Sequence, residues 1–173
     1  MFTSADARFY ADDAAIKKIV NSPSVDSLDL SKYDIVWVAG GWGAAWDLAG
    51  SPALIQGLGA RWTQRRLIGT VCHGALALVN ATKPDGTNLV EGLNITAVTN
   101  RQIEELGIAK MTPMHPQTEL VVRGANFMSR HGLLPDVTQS LTVVDGVLVT
   151  GQNQNSGCET AQRLLDLLAD RML

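Results

Sequence analysis

Two adjacent side chains, Cys72 and His73, pair a nucleophile with a proton acceptor inside the stretch Leu67-Ile68-Gly69-Thr70-Val71-Cys72-His73-Gly74-Ala75-Leu76-Ala77-Leu78. The pattern reads as a buried strand that turns sharply at Cys72 and enters a helix, a geometry that exposes a nucleophile at the top of an α/β sheet. In that setting the sulfur lies beside the N-terminus of a helix beginning near Gly74, where unpaired N–H groups and the helix dipole acidify a thiol. Gly74 allows the tight turn. A free cysteine is equally well read as a small buried hydrophobe.

A second loop, Gly40-Gly41-Trp42-Gly43-Ala44-Ala45-Trp46-Asp47, follows another strand-like run. In a parallel sheet it shares the carboxyl edge with Cys72, the edge at which such folds bind ligands. Its glycines can aim backbone N–H groups at a developing oxyanion, with the amide of His73 as a second donor. The loop has neither the Gly-Lys-Ser/Thr of a phosphate-binding loop nor the spacing of a dinucleotide fingerprint. Trp42 is read as a pocket wall and Trp46 as a packing residue. His115 and His131 receive no role from their local sequence. Glu104 and Glu105 are the carboxylates in the region of chain from which an acid could orient His73, although solvated surface positions are the ordinary reading of such residues.

The elements that must position these groups follow from periodicity. Asp12 to Val20 suits a short amphipathic helix stopped by Asn21-Ser22-Pro23. Tyr33 to Ala39 is a β-branched and aromatic run bounded by Gly40-Gly41, as in a strand buried on both faces. Ser51-Pro52 opens a helix to about Gln64, so the strands at Tyr33 to Ala39 and Leu67 to Val71 form a βαβ unit. Asn94 to Val98 is a further strand, Asn100 caps a helix over Arg101 to Leu106, and Pro116 opens another through Val122. Leu141 to Thr150 is a hairpin turning at Asp145-Gly146, and Ser156 to Met172 is a closing amphipathic helix. Strands alternating with helices give an α/β class.

Composition removes other functions. The 173 residues, 46% of them apolar, suit one domain spanning 1–173, and a net charge of −3 with 14 dispersed Lys and Arg offers no nucleic-acid footprint. No apolar run reaches the ~18 residues of a membrane span, and the acidic opening is unlike a signal peptide, so a cytoplasmic location is expected. Cys72 and Cys158 are read as free thiols, with neither a disulfide framework nor a metal site.

Taken together, Tyr33-Asp34 to Gly43, Trp46-Asp47-Leu48, Val71-Cys72-His73-Gly74, Thr99-Asn100 and Val144-Asp145-Gly146 to Thr150-Gly151-Gln152-Asn153 resemble the ThiJ/PfpI superfamily. The likeness runs from about Tyr33 to the C-terminus. More narrowly it looks like the branch of heat-shock chaperones with glyoxalase III activity, intracellular protease/amidase-like and glutamine amidotransferase-like proteins. The resemblance implies a flavodoxin-like three-layer sandwich with a mostly parallel sheet, in a dimer needing no cofactor. It implies Cys72 as nucleophile, His73 as general base or acid, and Glu104 as the supporting acid. The pocket it implies is formed by Gly41, Trp42, Gly43 and His115, with amides near Gly41 and His73 as oxyanion donors. The implied reaction converts methylglyoxal to lactate without glutathione; amidase or deglycase hydrolysis of amide-type substrates is the neighbouring chemistry. A non-enzymatic holdase or oxidant sensor using Cys72 is the alternative.

Three departures from the family pattern accompany the resemblance. The usual N-terminal strand-helix-strand, with the glutamate that hydrogen-bonds the nucleophile, has no counterpart in the sequence. Trp42 stands where histidine or another residue is common. Gln102 and Ile103 fall where the family places a Glu-Glu pair, so Glu104 serves only with a local shift of the helix. Without the opening strands Tyr33 to Ala39 becomes a flat apolar edge, which is expected to be covered by a second copy or another segment.

Overall fold

The computed structural model describes residues 4–132 and 135–172. Its central sheet is built from β1 (Ile35–Val38), β2 (Leu67–Val71), β5 (Thr142–Asp145) and β6 (Leu148–Gly151), in the order β1-β2-β6-β5. The β1, β2 and β6 strands run parallel and β5 is antiparallel to β6. A separate parallel pair, β3 (Asn94–Ile95) with β4 (Asn126–Phe127), stands beside them. The mixed, mainly parallel sheet between helices is the α/β arrangement that the alternating pattern predicts.

Every residue of β2 is buried, because β2 is central and covered on both faces. On one face, Leu58 of α4 (Pro52–Thr63) packs with Ile68, Leu148, Leu76 and Leu78 in the main core. On the other, Leu164 of α7 (Gly157–Asp170) packs on Leu67 and Val149. Gly69 permits the second contact: a Cβ there would lie 2.4 Å from Leu164 and 2.5 Å from Trp37.

Local chemistry explains most boundaries. Ser51 accepts from the Leu54 amide and Pro52 stands in the first turn of α4. The hairpin turns at Gly146, whose φ of +58° suits glycine. Short helices α1 (Ser4–Tyr10), α2 (Asp13–Val20), α3 (Ala44–Asp47), α5 (Asn100–Glu105) and α6 (Pro116–Val122) complete the set. The Asp12 carboxylate caps α2 by accepting from the amides of Ala14 and Ala15.

Several expectations are corrected. The first strand is shorter than Tyr33 to Ala39 and carries Trp37 at 43% exposure, so it is not buried on both faces, although its place at the edge of the sheet is the expected one. Ladder pairing of the third strand stops at Ile95, although Thr96 to Thr99 stay buried and the Thr96 amide donates to Thr150 Oγ1. The helix cap before α5 is Thr99, not Asn100: its hydroxyl accepts from the Gln102 amide while the Gln102 side chain accepts from the Thr99 amide. The segment after Cys72 is 3₁₀-helical over Cys72–Leu78 rather than α-helical. Here Gly74 is wedged against β1, where a Cβ would lie 2.4 Å from the Val38 carbonyl oxygen. No described helix is long and apolar enough to cross a membrane.

Candidate active site

The β2 strand ends at Val71, and the chain turns at Cys72 with φ of +58°. A non-glycine residue in this region costs about 1–3 kcal/mol and persists only where its surroundings enforce it. The enforcement is visible in Gly40, whose Cα approaches so closely that a Cβ would sit 2.7 Å from Cys72 Cβ and 2.7 Å from the Val71 carbonyl oxygen. Next to it Gly41 adopts φ of +117° and turns its N–H to the Cys72 sulfur, which also receives the His73 N–H. Two amides therefore converge where charge on sulfur, or on an oxygen bound through it, would develop.

Burial pushes the Cys72 thiol up from its ordinary value, against the lowering effect of those two N–H groups. The expected acidification is thus reversed in the resting site, because desolvation outweighs the two amides. The Cys72 sulfur lies 3.5 Å from His73 Nδ1. His73 is 2% exposed, its Nε2 is buried without a hydrogen-bond partner, and its pKa is lowered to about 4 by burial and by the nearby His115. At neutral pH the pair is thiol beside neutral imidazole, with the imidazole free to take a proton.

Lowering also ties His73 to stability. The unfolded state binds a proton near pH 6.5 and the folded state only near pH 4. Stability is therefore complete above pH 6.5 and falls as pH drops toward 4, by about 3 kcal/mol. Urea midpoints measured across this window should show that decline, and His73→Asn should flatten it; an equally steep curve in the variant would exclude His73 as its source.

The surrounding expectations divide. His115 lies close enough to depress His73, and its Nε2 meets the Ala109 carbonyl at 3.0 Å. Trp42 Nε1 donates to Thr112 Oγ1 at 2.9 Å, and Thr112 passes the bond to the Ile108 carbonyl. This chain of bonds ties the glycine loop to the segment carrying His115. Gly43 precedes α3 with open space where a Cβ would point. Trp46 is corrected: it is 58% exposed and stacks edge-on against Trp42 with ring centroids 5.3 Å apart, instead of packing inside.

Glu104 is the residue not brought to the site. Helix α5 turns Gln102 and Ile103 inward and leaves Glu104 exposed, while His73 Nε2 has no partner. Because Gln102 is locked into the Thr99 capping box, rotating Glu104 inward would break the helix start. Among the described residues no carboxylate contributes to the shift of the Cys72 thiol.

Sequence reasoning missed the work of Gln152 and Asn153. The Gln152 side chain accepts from the Arg130 amide and donates to the Arg130 carbonyl, while Asn153 Nδ2 donates to the Val137 and Gln139 carbonyls. The Thr-Gly-Gln-Asn motif is therefore a clamp that holds the long loop after β4. A buried polar pair directly after a β-branched strand is the signal that points to it.

A model of the DJ-1/PfpI family matches residues 13–167. The chain belongs to the DJ-1/PfpI family. A probable glutathione-independent glyoxalase of Schizosaccharomyces pombe is 27% identical over 156 residues, covering 88% of this chain and 68% of the relative. Another glutathione-independent glyoxalase of the same organism is 29% identical over 79% of this chain, which spans only 58% of that relative's length. Among solved structures, Rapid Encystment Protein 24 KDa of Francisella tularensis superposes with a TM-score of 0.88 at 26% identity, covering 97% of this chain and 72% of that one. For a DJ-1/PfpI protein the close approach of Gly40 to Cys72 is open to a direct check. Gly40→Ala should displace the sulfur and cut any turnover that runs through Cys72 at least tenfold, at a stability cost of about 1–3 kcal/mol. Gly50→Ala, where a Cβ meets nothing within 4 Å, serves as control. Equal turnover in both variants would show that the approach does not set the sulfur's position.

Proposed function

We propose that the protein converts a small 2-oxoaldehyde such as methylglyoxal to the corresponding 2-hydroxy acid without glutathione, using Cys72 as nucleophile. The observation that carries this reading is the Cys72 sulfur held 3.5 Å from a neutral His73 imidazole while facing the N–H groups of Gly41 and His73. The naming of two relatives as glutathione-independent glyoxalases supports the choice of substrate class.

Substrate binding displaces water, and the thiol passes its proton to His73 as sulfur adds to the aldehyde carbon. The resulting oxyanion accepts from the two amides and is protonated to a hemithioacetal. His73, returned to its neutral form, moves the C1 proton to C2 through an enediol, leaving a thioester of the hydroxy acid on Cys72. Water then cleaves the thioester, releasing the acid and restoring the thiol. Trp42, tied to Thr112, walls the pocket, and burial, with His115 nearby, keeps His73 neutral between turnovers.

An oxidant sensor would need a low-pKa thiolate. Burial moves the Cys72 thiol the opposite way, whereas a neighbouring base such as His73 can take the proton from a nucleophile as it attacks. The test is lactate formation from methylglyoxal in glutathione-free buffer, with Cys72→Ser beside the wild type. Stoichiometric lactate only from the wild type supports the proposal, and equal rates from the two proteins refute it.

A further inference from the structure

The loop that the Gln152 and Asn153 clamp holds carries a second constellation, made of side chains other than Cys72 and His73. Ser129 Oγ lies 2.8 Å from His131 Nε2. On its other ring nitrogen, Nδ1, His131 meets Asp136 Oδ2. Asp136 is completely buried, and its carboxylate also accepts from the Gly132 amide at 2.8 Å and faces Arg101 Nε at 3.5 Å. The hydrogen bond from His131, then those from Gly132 and the charge of Arg101, hold this carboxyl below its ordinary range despite burial.

Chemistry follows from the order of contacts. An ionised Asp136 accepts the Nδ1 proton, which leaves Nε2 as the acceptor of the Ser129 hydroxyl proton. That is hydroxyl, base and orienting acid in the relationship by which a serine becomes a nucleophile, recognised by geometry and not by chain order. Each member is fixed from outside the loop. Residue 130, between Ser129 and His131, is gripped through both its amide and its carbonyl by the buried Gln152. The Asp136 carbonyl accepts from Gln102 Nε2 at 2.7 Å. His131 has a side chain 49% exposed, and Ser129 is partly exposed, so an incoming group can reach the hydroxyl.

We propose that Ser129, His131 and Asp136 form a second acyl-transfer site, acting on exposed esters independently of Cys72. Ser129 Oγ attacks the ester carbonyl carbon as its proton moves to His131 Nε2. The bond from carbon to the alkoxy oxygen breaks, and the alcohol leaves with the proton from His131. Water then attacks the acyl-serine, giving its proton to His131, and the carboxylic acid departs as Ser129 is reprotonated. Gln152 and Gln102 are positioning residues for this step.

The experiment uses the full chain carrying Cys72→Ala, so that its outcome is independent of the 2-oxoaldehyde reaction. It is incubated with a fluorophosphonate probe, digested and mapped by mass spectrometry, and assayed with p-nitrophenyl acetate, whose good leaving group makes modest activation measurable. The expected results are covalent label on Ser129 and an ester hydrolysis rate that falls at least tenfold on adding Ser129→Ala or His131→Ala. Ser129→Ala changes one partly exposed oxygen, and circular dichroism verifies its fold. Absence of label at Ser129, or an ester rate unchanged by Ser129→Ala, would overturn the proposal and leave the three residues as a pin for the loop.

Discussion

Cys72→Ala is expected to abolish turnover of methylglyoxal, lowering the rate at least 10³-fold, or about 4 kcal/mol of transition-state stabilisation. The size of the effect follows from the role proposed for Cys72: if sulfur forms the covalent bond on which every later proton transfer depends, its removal leaves amides and an imidazole with nothing to act on. Serine is no substitute, because His73 at about 4 is too weak a base to ionise a hydroxyl. Burial of the thiol adds a signature in the wild type. With the thiol pushed up by burial, alkylation of Cys72 by iodoacetamide should keep accelerating as pH rises past 8. A rate that levels off below pH 7 would contradict the raised thiol.

The largest stability effect is expected at the opposite end of the sheet. Arg61 of α4 is fully buried and gives its guanidinium to four backbone carbonyls, those of Leu30, Tyr33, Asp34 and Leu67, at 2.6–2.9 Å. Burial lowers its pKa, yet an arginine stays charged, and the carbonyl dipoles take the place of a carboxylate. The bonds join the segment entering β1 to the first residue of β2, so one side chain sets where both strands begin. Arg61→Met keeps much of the stem but leaves the carbonyls without their donor, at a cost of about 3–5 kcal/mol. Calorimetry should show a Tm lowered by roughly 10 °C. A shift under about 2 °C would mean that those carbonyls find other partners.

The site and the framework differ in how openly the sequence displays them. Cys72, Gly40, Gly41 and Gly74 are legible because a nucleophile turn needs small residues at fixed positions, and the close approaches at Gly40 and Gly74 are the physical form of that need. The strands at Ile35, Leu67 and Leu148 declare themselves by β-branched runs. By contrast, Arg61 sits in a helical pattern where arginine is ordinarily a solvated residue, and only the fold reveals that its face is inward. Glu104 fails for a related reason: the Thr99 capping box, not the order of acids in the sequence, fixes which side of α5 is buried. Ser129, His131 and Asp136 lie in an irregular loop without periodicity, assembled by Gln152 and Gln102 from distant parts of the chain. The thiol's raised pKa is likewise a balance between burial and two amides, and local sequence shows the amides but not the burial.

Mass spectrometry during a single turnover, with protein in excess over methylglyoxal and glutathione absent, tests the covalent role of Cys72 most directly. The account predicts that the peptide containing Cys72 transiently gains the mass of one methylglyoxal and that this adduct decays as an equal amount of lactate appears. Lactate formed with no adduct on that peptide, or an adduct that persists while no lactate forms, would contradict it.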